Sequence, residues 1–563
     1  MKSLKQYGKK RKKGPLLKRV RINTKIIFVI IFSVLAVAAT NNDIYRKIKD
    51  SQRTINNVYK YLITHYVDDI NLEKFTKMSI DNMLSELDPY TVYLVDDQKS
   101  GLDMITNGKY GGVGIQIGKR DDVITVIAPT ENSPAKRAGI LAGDVLIKID
   151  GKVTESMSMD DAAKLIRGKK GTKVILSIER FNEDEPIDFT LTRADIPVKD
   201  VSYFGMLDES IGYIRLTRFS KNSSPEVEKA INSLLGNDLT SIVLDLRDNP
   251  GGLLNSAVSI LDMFIKKKEL LVWTDGRAKQ SKKKYYSKND PIVPDDIQIA
   301  VLINGGSASA SEIVAGVVQD LDRGVVIGRQ SFGKGLVQTV YNLDRNKALK
   351  VTTAKYYIPS GRLIQRSGYL PDEILADTVT LDTLFETIGG RTVTSGGGIT
   401  PDYVIESKER KPILLACLRK GLFFSYVQKN KHMYKSFDEV NNDPILLDRL
   451  EEYIMNHEED LNIKLDGENN YLDTRETLMS LDSNNISISG AIELLDSYFE
   501  EKAITQFDRE NEDIKQWMLM EFAKQFDGEK GRMKVSQKID KDIIKAMNIL
   551  DDPFVYREVF IHH

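Results

Sequence analysis

Two apolar runs in the middle of the chain each lead through a turn of small residues into an amphipathic helix. The run SIVLDLR (residues 241–247) precedes DNPGG, and the run IAVLING (299–305) precedes GSASAS. Apolar runs of this length are typical of strands buried on both faces, and helices between such strands favour a parallel sheet. Residues 199–405 are therefore predicted to alternate strand and helix in an α/β layer.

The chain has 563 residues, which is too long for one hydrophobic core and predicts several domains. Between residues 99 and 195, short strands, short helices and glycine turns alternate in KYGGVGIQI, SPAKRAGILAGDVLIKIDGK and MDDAAKLIRGKKGTKVILSIER. Their order and their glycine positions resemble a PDZ domain. The residues on either side of these two regions have helical patterns. The predicted fold class is multidomain α+β, divided into a basic and apolar leader (1–40), a helical element (41–98), a PDZ-like domain (99–195), an α/β core (196–405) and a helical C-terminal region (406–563).

The N-terminal segment is strongly basic and then apolar. Residues 1–25 contain eleven Lys and Arg and no acidic residue, and residues 26–39 carry no charge. Such a pattern predicts an export signal or a membrane anchor. The apolar run is shorter than the roughly 20 residues that span a bilayer, which favours a signal peptide, whereas the long basic flank favours an uncleaved anchor. The expected location is the periplasm or cell envelope, with anchoring to the inner membrane through residues 26–40 as one alternative.

Charge and cysteine content exclude several classes of protein. Without the eleven N-terminal cations, the net charge of −1 becomes −12 for the remaining chain, which carries no nucleic-acid-binding pattern. Cys417 is the single cysteine, so neither an intramolecular disulfide nor a cysteine metal cluster can form. We expect no metal and no organic cofactor.

The turn GGSASASE (305–312) contains three serines just before a helix. A flexible linker is one interpretation, but a strand ends just before the turn and a helix begins inside it. A phosphate-binding loop is another, although the Gly-Lys-Ser/Thr ending of such loops is missing. The third interpretation is a nucleophilic serine at a helix N-terminus, where free N–H groups stabilise negative charge. Ser311 also fits the position of the helix cap.

A nucleophilic serine needs a base, and the α/β region contains no histidine. The internal histidines His65, His432 and His457 all lie outside it, so a histidine base would require a site between domains. Lys334 stands between two glycines in SFGKGLVQ (331–338), beside Phe332. Burial would lower its pKa and allow it to act as a base, while Gln338 could hold its amine without adding charge. A solvated surface lysine and a phosphate-binding lysine remain the alternatives.

The turn DNPGG (248–252) follows the first buried strand. A tight turn with glycine at positive φ explains it structurally. Its backbone N–H groups could also serve as an oxyanion-hole donor, and the two interpretations are compatible.

Taken together, SASASEIVAGVVQDLDR, GRQSFGKGLVQ, DLRDNPGGLL, KYYIPSGRLIQ and GGGITPD resemble the carboxy-terminal processing peptidases, which are PDZ-containing serine proteases with a Ser/Lys dyad. The resemblance covers residues 50–405, including LDPYTVYL (87–94). It implies a crotonase-like protease core. It also implies that Ser309 is the nucleophile, with Ser307 and Ser311 as alternatives. The other implied roles are Lys334 as general base, Gln338 as the residue that orients it, and the N–H groups of Ala310 and of Gly251 or Gly252 as the oxyanion hole.

The glycine loop KYGGVGI (109–115) predicts capture of a peptide carboxylate by successive backbone N–H groups, with the peptide pairing along the following strand. Arg167 matches an arginine of the family and could couple the PDZ domain to the core, although a solvated charge at a helix end explains it equally well. The predicted peptide-binding residues are Tyr110, Gly111, Gly112, Val113, Gly114, Ile115 and Ile117.

The sequence thus predicts an exported serine endopeptidase that recognises protein tails with a free, apolar C-terminus. An inactive PDZ scaffold or adaptor and a crotonase-like enzyme acting on acyl thioesters are the alternatives. Residues 406–563 extend beyond the resemblance, and oligomerisation or adaptor binding is expected there.

Overall fold

The computed structural model describes residues 24–561, with gaps at residues 97, 100, 103–105, 107, 121–122, 181–182, 237, 371–382, 407–410, 458–460, 462–467 and 482–485. The side chains of residues 24–44, 468–469, 481, 486–487, 500 and 503–505 lie outside that description. The chain forms two compact units, Met1–Asn82 and Met83–His563.

The first unit contains helix α1 (Thr24–His65) and most of helix α2 (Leu72–Ser85). The helical element predicted for this part of the chain is confirmed. The Tyr59 hydroxyl lies 2.8 Å from Thr76 Oγ1, which joins the two helices. No helix in the described part of the chain is both long enough and apolar enough to cross a membrane. Most of the basic segment, and the side chains of the apolar segment after it, lie outside the described residues.

The PDZ-like region is an antiparallel sheet with short helices. Its strands pair in the order β3-β4-β5-β7-β8, with β6 beside β5, so β3 lies at an edge. A separate pair of strands, β2 and β9, stands at the two ends of the region. The elements are β2 (Lys109–Gly112), β3 (Ile115–Arg120), β4 (Val123–Pro129), α3 (Pro134–Ala138), β5 (Val145–Ile149), β6 (Lys152–Val153), α4 (Met159–Ile166), β7 (Lys173–Glu179), β8 (Ile187–Thr192) and β9 (Ala194–Pro197).

The predicted α/β layer forms the centre of the second unit. Its sheet has the order β10-β11-β12-β15-β16-β21 and is parallel from β11 onward. Strands β12 and β15 are neighbours, so the turns that follow them meet at the carboxyl edge of the sheet, where ligands bind in such folds. The strands are β10 (Val201–Met206), β11 (Ile211–Leu216), β12 (Ser241–Asp245), β15 (Gln298–Ile303), β16 (Val325–Gly328) and β21 (Tyr403–Val404).

Helices cover both faces of this sheet. Helices α5 (Ser223–Leu234), α6 (Leu254–Leu261) and α7 (Ala310–Asp320) bury their apolar side chains against one face. The other face packs against α14 (Lys541–Asp551) and α15 (Pro553–Glu558), near the C-terminus of the chain. The helix residues Ile543, Ala546, Ile549, Leu550 and Tyr556 share this cluster with the strand residues Ile211, Tyr213, Val243, Ala300, Leu302, Val325 and Ile327.

A second sheet lies beside the first, in the order β1-β18-β13-β14, with β17 also paired to β18. Strand β1 comes from LDPYTVYL, at the end of the region 41–98, and its Val92 pairs with Lys350 of β18. The strands are β1 (Val92–Val95), β13 (Leu270–Asp275), β14 (Lys283–Tyr286), β17 (Leu336–Asn342) and β18 (Lys347–Tyr357), and a separate pair is formed by β19 (Leu384–Glu386) and β20 (Thr392–Thr394).

The remaining C-terminal helices form a bundle with its own apolar core, which includes Phe423, Leu450 and Phe522. The boundary drawn after residue 405 therefore does not separate two packing units, because α14 and α15 belong to the core of the central sheet. The bundle helices are α8 (Pro412–Lys420), α9 (Leu422–Asn430), α10 (Phe437–Asn441), α11 (Leu446–Met455), α12 (Glu468–Leu481) and α13 (Ile486–Ser536), with a short 3₁₀ helix at Lys431–Met433. A second 3₁₀ helix, Lys279–Ser281, lies between β13 and β14.

Replacing Ile549 by alanine tests whether the last helices belong to the core of the central sheet. Ile549 is fully buried, so Ile549→Ala should lower the free energy of unfolding by about 2–5 kcal/mol, as measured by chemical denaturation with tryptophan fluorescence. Leu494, in the same C-terminal region, is 75% exposed, and Leu494→Ala should change the free energy of unfolding by less than about 0.5 kcal/mol. Equal effects of the two substitutions would contradict this packing.

Candidate active site

Ser309 stands at the turn between β15 and α7 in a strained conformation. Its φ of 55° and ψ of −110° lie outside the regions that non-glycine residues favour. Backbone strain of this kind persists where the surrounding structure enforces it, often at functional sites. Ser309 is the N-cap of α7, which begins at Ala310, so the expectation that Ser311 caps the helix is wrong.

The two other serines of the turn are buried and bonded to backbone. The Ser307 hydroxyl donates to the carbonyl oxygen of Leu246 at 2.8 Å, and the Ser311 hydroxyl donates to that of Asn249 at 2.8 Å. Both serines are completely buried, whereas Ser309 is partly exposed. These bonds give Ser307 and Ser311 a structural role, joining this turn to the turn after β12.

Glu312 binds the Ser309 turn to the Lys334 loop. Its buried carboxylate accepts hydrogen bonds from the N–H groups of Ser309 (2.7 Å), Gly333 (2.7 Å) and Lys334 (2.9 Å) and from the Ser331 hydroxyl (2.5 Å). Burial raises the pKa of Glu312, and these four donors oppose that effect. The sequence contains the Ser-x-x-Glu pattern of a capping box, which is the signal that sequence reasoning missed.

Tyr356, on β18, makes a second link between the same two segments. Its buried hydroxyl lies 2.6 Å from the carbonyl oxygen of Lys334 and 3.1 Å from that of Ser309. Together with Glu312, it holds the backbones of Ser309 and Lys334 at one site.

The side chain of Lys334 is partly buried against Tyr90, which belongs to LDPYTVYL. The amine nitrogen lies 4.4 Å from the centre of the Tyr90 ring. Burial, followed by the positive charge of Lys350, lowers the pKa of Lys334 from 10.5 to about 8, against the opposing effect of Glu312 and Asp88. Phe332 is 44% exposed, so the burial expected from Phe332 comes instead from Tyr90. Within the described residues, the amine and the Ser309 hydroxyl are not hydrogen-bonded.

Gln338 lies on β17 but does not hold the Lys334 amine in this conformation. Its amide nitrogen donates to Thr352 Oγ1 at 3.3 Å, and Thr352 Oγ1 donates to Asp88 Oδ1 at 3.0 Å. Asp88 also accepts from the N–H of Tyr90 at 2.9 Å. Gln338 is therefore connected, through Thr352 and Asp88, to the turn before β1 that carries Tyr90.

The two glycines of DNPGG differ in what their N–H groups bind. The Gly251 N–H donates to Asn249 Oδ1 at 2.9 Å, whereas the N–H groups of Gly252 and Ala310 have no acceptor among the described residues. A Cβ on Gly251 would lie 2.5 Å from the carbonyl oxygen of Ala308. Close approach to the Ser309 turn therefore requires glycine at 251.

The predicted peptide-binding residues of the PDZ-like region lie in β2, in the turn after it and at the start of β3. Gly111 pairs with β9, and its carbonyl accepts from the Gly168 N–H at 3.1 Å, while Gly114 adopts a φ of 77°. The edge strand β3 carries Ile115 and Ile117. The Arg167 guanidinium lies 5.4 Å from the centre of the Tyr110 ring, which connects the end of α4 to β2. Tyr110, Gly112 and Val113 lie in or beside β2, and Val113 is fully buried in the PDZ core.

The histidines His432 and His457 both lie in the C-terminal region. The His457 ring contacts the Tyr453 carbonyl at 2.7 Å, and His432 lies in a 3₁₀ helix of the C-terminal region. The described part of the chain holds no group of side chains arranged to bind a metal ion.

Comparisons with known proteins match both the α/β core and the PDZ-like region. Residues 210–375 match the model of peptidase family S41, and residues 125–180 match a PDZ domain model. A carboxy-terminal-processing protease of Bartonella bacilliformis is 40% identical over 346 residues, which cover 61% of this chain and 79% of the relative. The chain belongs to the carboxy-terminal-processing protease family.

This protease is thus a serine-type peptidase with a PDZ domain, and its substrates are peptides or proteins. A probable CtpA-like serine protease of Staphylococcus aureus is 36% identical over 362 residues, covering 64% of this chain and 71% of the relative. The solved photosystem II D1 C-terminal processing protease is 26% identical and covers 62% of this chain and 85% of its own, at a TM-score of 0.35 that supports no conclusion about the fold.

Removing the Glu312 carboxylate should destabilise the protease. Glu312→Ala leaves buried donors from Ser309, Gly333 and Lys334 unpaired, so a loss of about 3 kcal/mol or more is expected, measured by chemical denaturation. Glu476 is exposed, and Glu476→Ala should change stability by less than about 0.5 kcal/mol. Equal stability of both variants would contradict the role given to Glu312.

Proposed function

We propose that this protease cleaves peptide bonds with Ser309 as nucleophile and Lys334 as general base. The observation that carries the proposal is that one buried carboxylate, that of Glu312, accepts hydrogen bonds from the N–H groups of both residues. The fixed backbones leave the lysine side chain free to rotate. Since the amine contacts the Tyr90 ring in this structure, base function requires a rotation that brings it to the Ser309 hydroxyl.

The reaction then follows acyl-transfer chemistry. The neutral amine of Lys334 takes the hydroxyl proton as Ser309 Oγ attacks the scissile carbonyl, and the same proton passes to the leaving amine as the C–N bond breaks. Water hydrolyses the acyl-enzyme and regenerates the serine. The N–H groups of Ala310 and Gly252, which have no acceptor in the described structure, are the available donors for the oxyanion.

We further propose that the PDZ domain captures the free C-terminus of the substrate. The loop around Gly114 offers backbone N–H groups for a terminal carboxylate, and the free edge of β3 can pair with an extended peptide. Apolar side chains at Ile115 and Ile117 favour an apolar tail.

We also propose export of the chain to the periplasm or cell envelope. The basic residues 1–25 followed by the uncharged residues 26–39 support this location. Fractionation of cells that express the full chain tests it, and recovery of the protein in the cytoplasm with an intact N-terminus would oppose it.

Loss of either dyad residue should abolish cleavage. With a quenched fluorescent peptide that ends in a free apolar C-terminus, Ser309→Ala and Lys334→Ala should each lower kcat by about 10⁴-fold or more, while peptide binding is retained. Lys347, the first residue of β18, has a side chain that is 45% exposed and supplies the control Lys347→Ala, which should keep full activity. Binding without cleavage by the wild-type protein would support the inactive-scaffold alternative.

The pH dependence of kcat/KM should report the Lys334 amine. Activity should rise with pH through about 8, because the base must be deprotonated and burial lowers the pKa of Lys334 to about 8. The Lys350 charge contributes to this lowering, so Lys350→Met should raise the pKa of Lys334 and shift the rise to higher pH. Lys347→Met should leave the profile unchanged. An identical profile for Lys350→Met would argue against Lys334 as the titrating base.

A further inference from the structure

The start of α14 contacts the base of two loops at the proposed site. One carries the Gly252 N–H and the other carries Lys334. Asp540 is the N-cap of α14 and accepts the N–H groups of Asp542 and Ile543. The carboxylates of Asp540 and Asp542 lie at the carboxyl edge of the central sheet, next to Arg247, which follows β12. Asp542 also contacts Arg329, which follows β16. This helix lies far outside the residues that match the family model.

Arg247 connects the helix to the turn after β12. Its guanidinium donates to Asp540 at 2.8 and 2.9 Å, to Asp542 at 3.0 Å and to Asp245 at 2.6–3.1 Å. The Arg247 side chain is 10% exposed, and that of Asp542 is 5% exposed. Burial would lower the pKa of Arg247, but Asp245 and Asp540 raise it well above its ordinary value, so the cation is permanent.

The turn that contains Arg247 is bonded directly to the Ser309 turn. The carbonyl oxygen of Asn249 accepts the Ala308 N–H at 3.0 Å and the Ser311 hydroxyl at 2.8 Å. The Asn304 amide donates to Asp248 Oδ1 at 2.9 Å. A displacement of Arg247 would therefore move the backbone that offers the Gly252 N–H relative to Ser309.

Asp542 also reaches the loop that leads to Lys334. Arg329 donates to Asp542 Oδ2 at 3.3 Å. Arg329 stands two residues before Ser331, where the segment bonded to Glu312 begins. The same carboxylate thus contacts an arginine at the base of each loop.

We propose that Asp540 and Asp542 are positioning residues that align the oxyanion-hole turn with the Ser309 turn through Arg247, and that hold the Lys334 loop through Arg329. This inference rests on the proposed function of Ser309, Lys334 and the Gly252 N–H. It gives the C-terminal region a part in catalysis, because displacements of about 1 Å in an active site can cost 10²-fold in rate.

The double variant Asp540→Asn/Asp542→Asn tests the proposal in the full chain. Asparagine retains the N-cap, and Asp245 continues to pair with Arg247, so the fold is expected to persist. With the quenched fluorescent peptide, kcat should fall about 10-fold to 10²-fold while KM stays within about twofold. Arg247→Gln should behave similarly, and Arg247→Lys should fall between it and the wild type.

A peptide aldehyde of the same sequence separates alignment from stability. The aldehyde forms a tetrahedral adduct whose oxygen occupies the oxyanion hole, so its Ki should rise by the same factor as kcat/KM falls. Arg475 pairs with Asp496 in another part of the C-terminal region, and Arg475→Gln, the matched control, should change neither kcat nor Ki.

Three outcomes overturn the inference. They are an unchanged kcat and Ki in the double variant, a KM that rises as much as kcat falls, and an equal loss in Arg475→Gln. A wild-type protein that does not cleave the peptide would instead contradict the proposed function, so the two failures are distinguishable.

Discussion

The buried carboxylate of Glu312 is the interaction on which the geometry of the site depends. It is completely removed from water, a position that is costly unless its oxygens are well bonded, and it accepts from the segments that hold Ser309 and Lys334. The strained backbone of Ser309 is maintained because its N–H donates to Glu312 Oε2. One carboxylate thus joins the turn before α7 to the loop before β17 through backbone hydrogen bonds.

The architecture explains why this site lies where it does. Parallel neighbours β12 and β15 end side by side, and the serine and glycine turns that follow them must meet. The hairpin of β17 and β18 brings Lys334, Tyr356 and Thr352 to the same edge, and the turn before β1 adds Tyr90 from more than 240 residues earlier than Lys334. Each group comes from a strand end or an adjacent turn, so the sheet sets the positions and the turns supply the chemistry.

Sequence patterns predicted the strands and the glycine turns because each has a local signature, whereas the choice of Ser309 as the serine that Lys334 and Gln338 would serve came from the family resemblance. The role of Gln338 as a partner of Lys334 depended on side-chain geometry, and the structure has it bonded to Thr352 instead. The contacts of Lys334 with Tyr90 and of Arg247 with Asp540 could not be predicted, since partners 293 residues apart, as in the second pair, leave no periodic pattern. The Ser-x-x-Glu spacing could have identified Glu312 from the sequence, but that spacing alone does not distinguish a helix cap from a link between loops.

The packing of α14 and α15 on the central sheet also has a consequence for the order of events during synthesis. The sheet cannot bury its second face until residues 541–558 have left the ribosome. Until then Val243, Ala300 and Leu302 face solvent, and Arg247 lacks its partners on the helix. The central sheet therefore completes its core only after residues 541–558 have been made, so folding of its second face waits for a segment that follows every strand of the sheet in the sequence.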